Sequence, residues 1–309
     1  MKKLLLKIVL FSFLCVPGFL AVLFLADGTS DSHYLKVSSP KQHSLILGTS
    51  RARQALKPDI LDEHFFPERT DNKFFNFAFT IGISPYGPAY FEAIQKKLDE
   101  NTTDGIFILG VDPWILSSNK ENPNDASMFR ENERFLANLN VINSHPNFLY
   151  LLRFYDGPLY NIIKYRINPT PFLLHKNGWL EVQASPVTEK NNNAVSRHLK
   201  IYTDLTQNRL LSNKRLNYLE KTIQFLQNHG SVYLVRLPVH SKMFQLEDEF
   251  IPEFDELIKE ISKRNEVNYI SFRHFENLYG LNDAIHIHRN SADSLTQNIA
   301  EWINEQMNQ

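Results

Sequence analysis

Two hydrophobic periods organise the chain. The run Ser44-Leu45-Ile46-Leu47 stops at Gly48-Thr49-Ser50-Arg51. A short unbroken apolar stretch ending at a glycine predicts a strand buried on both faces, as in a parallel sheet. Similar runs at 73–78, 105–109, 231–238 and 267–271 predict four more strands. Between them the spacing turns helical: Ala52, Leu56, Ile60 and Leu61, with Pro58 interrupting, then 88–98, 213–229, 254–264 and 291–308. Gly230 is placed to cap the helix over 213–229. The alternation predicts an α/β fold, a three-layer α/β/α sandwich around a parallel sheet of roughly five strands.

Outside that alternation lie three other segments. Lys2, Lys3 and Lys7 precede residues 8–26, which carry no charge and match a membrane span in length. A positive start with an apolar centre also suits a cleaved signal, although no Ala-x-Ala site follows. With the lysines on the N-terminal side, that end stays in the cytoplasm and the body lies outside the cytoplasmic membrane. Residues 27–42 read as a polar linker. From about 115 to 212 the alternation disappears, and a structureless loop of that length is improbable in a compact domain. This stretch, with the aromatic run 148–155 and the polar run 190–193, reads as a partly helical inserted subdomain in an α/β domain spanning 43–309.

The net charge of −1 gives no general attraction for nucleic acid. Cys15, the single cysteine, allows neither a disulfide nor a cysteine metal site. The candidate chemistry sits at two distant places. Ser50 occupies the carboxyl end of the first strand, where open α/β sheets place their sites, though a serine there also suits a helix N-cap. Asp283-Ala284-Ile285-His286-Ile287-His288 precedes the closing helix and supplies an acid and an imidazole for a hydroxyl nucleophile. His288 competes with His286 for the role of base. One short loop with Asp283, His286 and His288 and no distant partner makes a poor metal site, so no metal or other cofactor is expected. Arg51, His240 and His288 are further candidates for contacting substrate.

Ser50, Asp283 and His286, with the intervening stretches Asn76-Phe77-Ala78-Phe79-Thr80-Ile81-Gly82 and Ile106-Phe107-Ile108-Leu109-Gly110-Val111-Asp112, resemble the four blocks of the SGNH/GDSL hydrolase superfamily in order. The resemblance implies a flavodoxin-like sheet, a Ser50–His286–Asp283 triad, and an oxyanion hole formed by Ser50, Gly82 and the residue at Asp112. At this last position the family usually carries asparagine. An ionised carboxylate repels an oxyanion, so Asp112 serves there only if it keeps its proton; otherwise the hole rests on the Ser50 and Gly82 amides.

The resemblance, taken with the apolar N-terminus, implies a membrane-anchored serine esterase or O-acyltransferase. Its substrate would be acyl groups of a cell-envelope polysaccharide or other acylated carbohydrate, with the bilayer and a membrane acyl-donor protein as partners. The alternative is a non-catalytic relative that binds glycan or serves in assembly.

Overall fold

The computed structural model describes residues 1–68, 73–188 and 192–308, with the backbone alone at Leu14, His274, Glu276 and Asn277. Part of the polar run 190–193 lies outside the described residues. The strands β1 (Ser44–Leu47), β2 (Phe74–Asn76), β3 (Gly105–Gly110), β4 (Gly230–Arg236) and β5 (Asn268–Ser271) form one sheet in the order β2-β1-β3-β4-β5. Every pairing is parallel. The strand order reverses at β1, between β2 and β3, and so the end of β1 faces a crevice.

Both faces of the sheet are covered, and the strands show why. Leu45, Leu47, Phe107, Leu109, Val232 and Leu234 join one core cluster, whereas the alternate residues Ile46, Ile106, Ile108, Tyr233 and Val235 join the other. This is the two-residue period of a strand with no wet face. Helices α1 (Lys2–Phe24) and α2 (Tyr34–Ser38) precede the sheet, and α3 (Ser50–Ala55), α4 (Pro58–Phe65) and α5 (Pro88–Lys97) follow its first strands. Within the insertion lie α6 (Phe148–Arg153), α7 (Asn161–Ile167) and α8 (Asn193–Asn208). The last four are α9 (Asn213–Gln227), α10 (Ser241–Phe250), α11 (Phe254–Arg264) and α12 (Arg289–Met307). Residues of α5, α9 and α11 pack on one face, and those of α3, α4 and α12 on the other. Pro58 divides α3 from α4, as its missing donor and fixed φ require.

Three expectations change. Gly230 is not the cap of α9, whose last turn closes at Asn228. It opens β4 instead, at φ +152°, and a Cβ there would stand 1.9 Å from the Gly105 carbonyl oxygen. Two strands thus approach through paired glycines, which accounts for the glycine by packing rather than by capping. Second, a helix that the alternation above does not include, α10, follows β4. Third, residues 27–42 are no slack linker. Tyr34, Lys36, Val37 and Ser38 are buried, and Lys36 Nζ donates to the carbonyls of Asn76 at 2.6 Å and Ala78 at 2.7 Å. The ammonium of Lys97 meets Ser39 O at 2.7 Å and Ile142 O at 2.8 Å, and burial pushes its pKa down to about 7. Both lysines find oxygen partners, the condition for burying such a group.

The helix α1 is long and apolar enough to cross a membrane. Its side chains along most of its length are exposed, but Leu23 and Ala26 at its exit are buried in the body. The insertion 115–212 does hold helices, together with two small antiparallel ribbons, one of which pairs Ser117–Asn119 with Arg209–Leu211.

Candidate active site

Ser50 is positioned by the way β1 ends. Gly48 takes φ +139°, and a Cβ at that point would lie 3.0 Å from Ala52 Cβ and 3.4 Å from Gly110 Cα. Only glycine fits this turn without strain. Thr49 then caps α3, its hydroxyl accepting from Arg51 N at 3.5 Å. The cap role weighed for Ser50 therefore belongs to its neighbour, and Ser50 becomes the first helical residue. Its own N–H has no intrahelical acceptor at that position. The turn is pinned from the β2 side, where Ser84 Oγ donates to Gly48 O at 2.8 Å and Phe79 N donates to it at 3.2 Å.

Ser50 Oγ lies 2.8 Å from His286 Nε2, and His286 Nδ1 lies 2.8 Å from Asp283 Oδ2. The tautomer that satisfies both contacts carries its proton on Nδ1, donates to the carboxylate, and leaves Nε2 to accept from the hydroxyl. The other carboxylate oxygen, Asp283 Oδ1, accepts from Ile285 N at 2.8 Å and His286 N at 3.0 Å. That local turn fixes acid and imidazole relative to each other. The loop is held from outside by His240 N donating to Ala284 O and by the bridge between Leu281 and Ile287.

Burial lowers the His286 pKa below its ordinary 6.5; the Asp283 hydrogen bond and charge oppose this without overcoming it, and His198 and Arg53 add to the lowering. For Asp283, burial acts to raise the pKa, yet the His286 hydrogen bond and nearby charges hold it down to about 2. A neutral imidazole beside an ionised carboxylate is the charge state that general-base work at neutral pH requires.

No protein-family model matches this chain. A search of the curated proteins finds no match either.

The other sequence candidates are placed differently. Arg51 does not line the cavity at His286. It is buried, donates to Glu247 Oε1 at 2.6 Å and stands 3.9 Å from Asp112 Oδ2. Asp112 acts only as an acceptor: Oδ1 takes Trp114 N and Ile115 N, both at 2.9 Å, and Oδ2 takes the Thr49 hydroxyl at 3.2 Å. It braces the Ser50 turn from behind, with both carboxylate oxygens engaged as acceptors. Gly82 lies exposed on the turn after β2, bordering a cavity lined by Ser118, Phe129 and Arg209 rather than the one at His286. His288 is occupied at both nitrogens, Nδ1 accepting from Asn290 N at 3.2 Å as the cap of α12 and Nε2 donating to Ala184 O at 3.1 Å. His240 caps α10 through Nδ1, which accepts from Lys242 N at 3.2 Å. Neither competes with His286.

His198, on α8 of the insertion, is the group that sequence reasoning missed. Its Nε2 lies 3.6 Å from Asp283 Oδ2. Ligand atoms of His198, Asp283 and His286 fall within 4.8 Å of one another, so the loop does have the distant third donor whose absence argued against metal. These same atoms also make the hydrogen bonds of the Ser50 chain. A solitary histidine in an amphipathic helix carries no motif, and only tertiary packing brings it here. A cavity of about 390 Å³ opens at His286, lined by Phe172, Val182, Val187 and Arg197.

Proposed function

We propose that this protein is a membrane-anchored serine esterase or O-acyltransferase of the SGNH/GDSL kind, acting on acyl groups of a cell-envelope polysaccharide. The observation that carries this reading is the continuous Ser50–His286–Asp283 hydrogen-bond chain, with both links at 2.8 Å. Its members come from opposite ends of the sequence, so local packing alone does not account for their meeting.

In the reaction, Ser50 Oγ attacks the ester carbonyl carbon while His286 Nε2 takes the hydroxyl proton. Asp283 holds the tautomer and stabilises the imidazolium. The Ser50 N–H, which has no acceptor among the described residues, is the donor that meets the oxyanion. As the tetrahedral intermediate collapses, the carbon–oxygen bond to the leaving alcohol breaks, and His286 returns the proton to that alcohol. Water or a sugar hydroxyl then attacks the acyl-Ser50 with His286 again as base, freeing Ser50 and giving either the acid or a new ester.

Membrane attachment is supported by α1 and by what surrounds its exit. Phe24 meets Phe148 edge-on at 6.2 Å, and Phe148, Leu149 and Leu152 of α6 and Ile163 and Ile167 of α7 are exposed beside it. Aromatic and aliphatic side chains at such a level suit the interface of a bilayer. The lysines before α1 favour a cytoplasmic N-terminus and a body on the extracytoplasmic side.

The test is labelling of the full chain in neutral detergent with a fluorophosphonate probe. The parent protein should be labelled, and Ser50→Ala and His286→Ala should not. A folded parent that stays unlabelled removes the nucleophile and leaves a glycan-binding or assembly role.

A further inference from the structure

Among the described residues four arginine side chains are buried, and three of them meet a carboxylate. Arg51 pairs with Glu247 at 2.6 Å, Arg215 with Glu131 at 2.7 Å and Arg236 with Glu247 at 2.8 Å. Arg53 differs. It is 7% exposed, its Nη1 meets only His33 Nδ1 at 3.2 Å, and its Nε has no partner among the described residues. To accept that bond His33 Nδ1 must be bare, so the imidazole offers no negative charge. Burial, with Arg53 and Lys36 nearby, keeps His33 neutral well below its ordinary 6.5. Asp31 lies near enough to act on the charge of Arg53, but no carboxylate among the described residues is in hydrogen-bond contact with it. A buried guanidinium so poorly paired is costly, and a bound anion would relieve that cost.

Arg53 sits one turn beyond Ser50 on α3, and residues three apart share a helix face. It lines a cavity of about 700 Å³ together with Asp31, Arg134, Phe135, Tyr155 and Phe172. Phe172 also borders the cavity at His286, so the two spaces adjoin. The one carboxylate deep in this cavity is already engaged: Asp31 accepts from His33 N at 2.6 Å, Tyr34 N at 3.1 Å and the Tyr150 hydroxyl at 2.9 Å. Glu133 and Asp156 are exposed at its edge, beside Arg134.

We propose that Arg53 forms an anion subsite beside the nucleophile, and that the substrate carries a carboxylate or phosphate oxyanion which this guanidinium binds. The planar fork of arginine matches either group in two-point fashion, and the aromatic walls suit the sugar ring of an acidic glycan unit. Calling the bound molecule a substrate rests on the esterase reading above; the anion site itself does not.

The experiment is calorimetric titration of the full chain in neutral detergent with glucuronate, inorganic phosphate and glucose, using the parent, Ser50→Ala, Arg53→Gln and Arg53→Lys. At least one charged probe should bind about tenfold or more tightly than glucose, equally well to Ser50→Ala, and about tenfold or more weakly to Arg53→Gln. Arg53→Lys should restore part of the affinity. A preference for glucuronate points to a sugar carboxylate, and one for phosphate to a phosphate-bearing glycan; both support the subsite. Equal binding of all three probes by the parent overturns it, and this comparison needs no variant to fold. Undiminished anion binding by Arg53→Gln with the parental Tm also overturns it. Anion binding without fluorophosphonate labelling would sink the esterase reading alone, and labelling without anion preference the subsite alone.

Discussion

His198 Nε2 stands 3.6 Å from Asp283 Oδ2, the same oxygen that His286 Nδ1 meets at 2.8 Å. Two imidazoles from distant segments therefore share one carboxylate oxygen. Because His198 adds to the lowering of the His286 pKa, His198→Ala should move the acid limb of the labelling-rate profile upward, toward 6.5. A purely structural role would change the rate without moving the limb. An unmoved limb in a folded variant rejects the coupling.

In the parent protein, the rate of fluorophosphonate labelling should be flat above neutrality and fall at lower pH with an apparent pKa below 6.5. The sign follows from burial, which penalises the imidazolium and keeps Nε2 free to take a proton until the solution is acidic. Asp283→Asn, which removes the charge that orients the ring, should reduce the rate by about 10⁴-fold. A midpoint above 7 in the parent rejects this charge assignment.

Acid should also weaken the fold. His33 and His286 both have native pKa values below 6.5, so as pH falls below that value the unfolded chain binds more protons than the native one. Thermal scans should show Tm falling between pH 7 and pH 5. A further loss should come between about 3.8 and about 2, where Asp283 is protonated in the unfolded chain before it is in the native one. A Tm that rises on acidification contradicts the buried neutral histidines.

Glu247 carries no exposed surface and accepts from Arg51, Arg236 and Trp114 Nε1. Burial raises its pKa, but the two arginines outweigh that and leave it lowered and ionised. Glu247→Gln would leave Arg51 with only Asp112 at 3.9 Å and Arg236 with only Asp255 at 2.8 Å, and breaking a buried ion pair on one side costs about 3–5 kcal/mol. Urea denaturation should show a loss of that size, with labelling also reduced because Arg51 follows Ser50 directly. A loss under about 1 kcal/mol would mean the network is solvated.

Glycines 48 and 82 should respond in opposite ways. Gly48→Ala forces a side chain into φ +139° and within 3.0 Å of Ala52 Cβ, a cost of about 1–3 kcal/mol that also shifts the Ser50 turn. At Gly82 the nearest atom to an added Cβ is Thr80 Oγ1 at 3.9 Å. Gly82→Ala should stay within about 0.5 kcal/mol of the parent in denaturation.

The sheet was readable from the sequence because a strand buried on both faces leaves an unbroken apolar run, as in Leu45-Ile46-Leu47 and Ile106-Phe107-Ile108-Leu109. Ser50, Asp283 and His286 were also readable, since the end of a strand and a fixed acid-to-imidazole spacing are local signals. What escaped depends on contacts between segments far apart. Nothing near Arg51 announces Glu247, nothing near His198 announces Asp283, and polar residues 27–42 look like a tether until Lys36 is seen to find carbonyl partners inside the core. His288 misled because a ring that caps a helix looks, in one dimension, like a ring available for chemistry.

The burial of Lys36, Tyr34 and Val37 against the sheet also sets reach. A flexible stalk would let the face that carries Ser50 sweep over a wide volume, so that on the proposed reading an ester far from the point of attachment could still be served. Here the exit of α1 is packed into the same body that carries Ser50, through Leu23 and Ala26. The distance from α1 to the Ser50 hydroxyl is then set by the fold, and on the proposed reading a substrate would have to be delivered to that height.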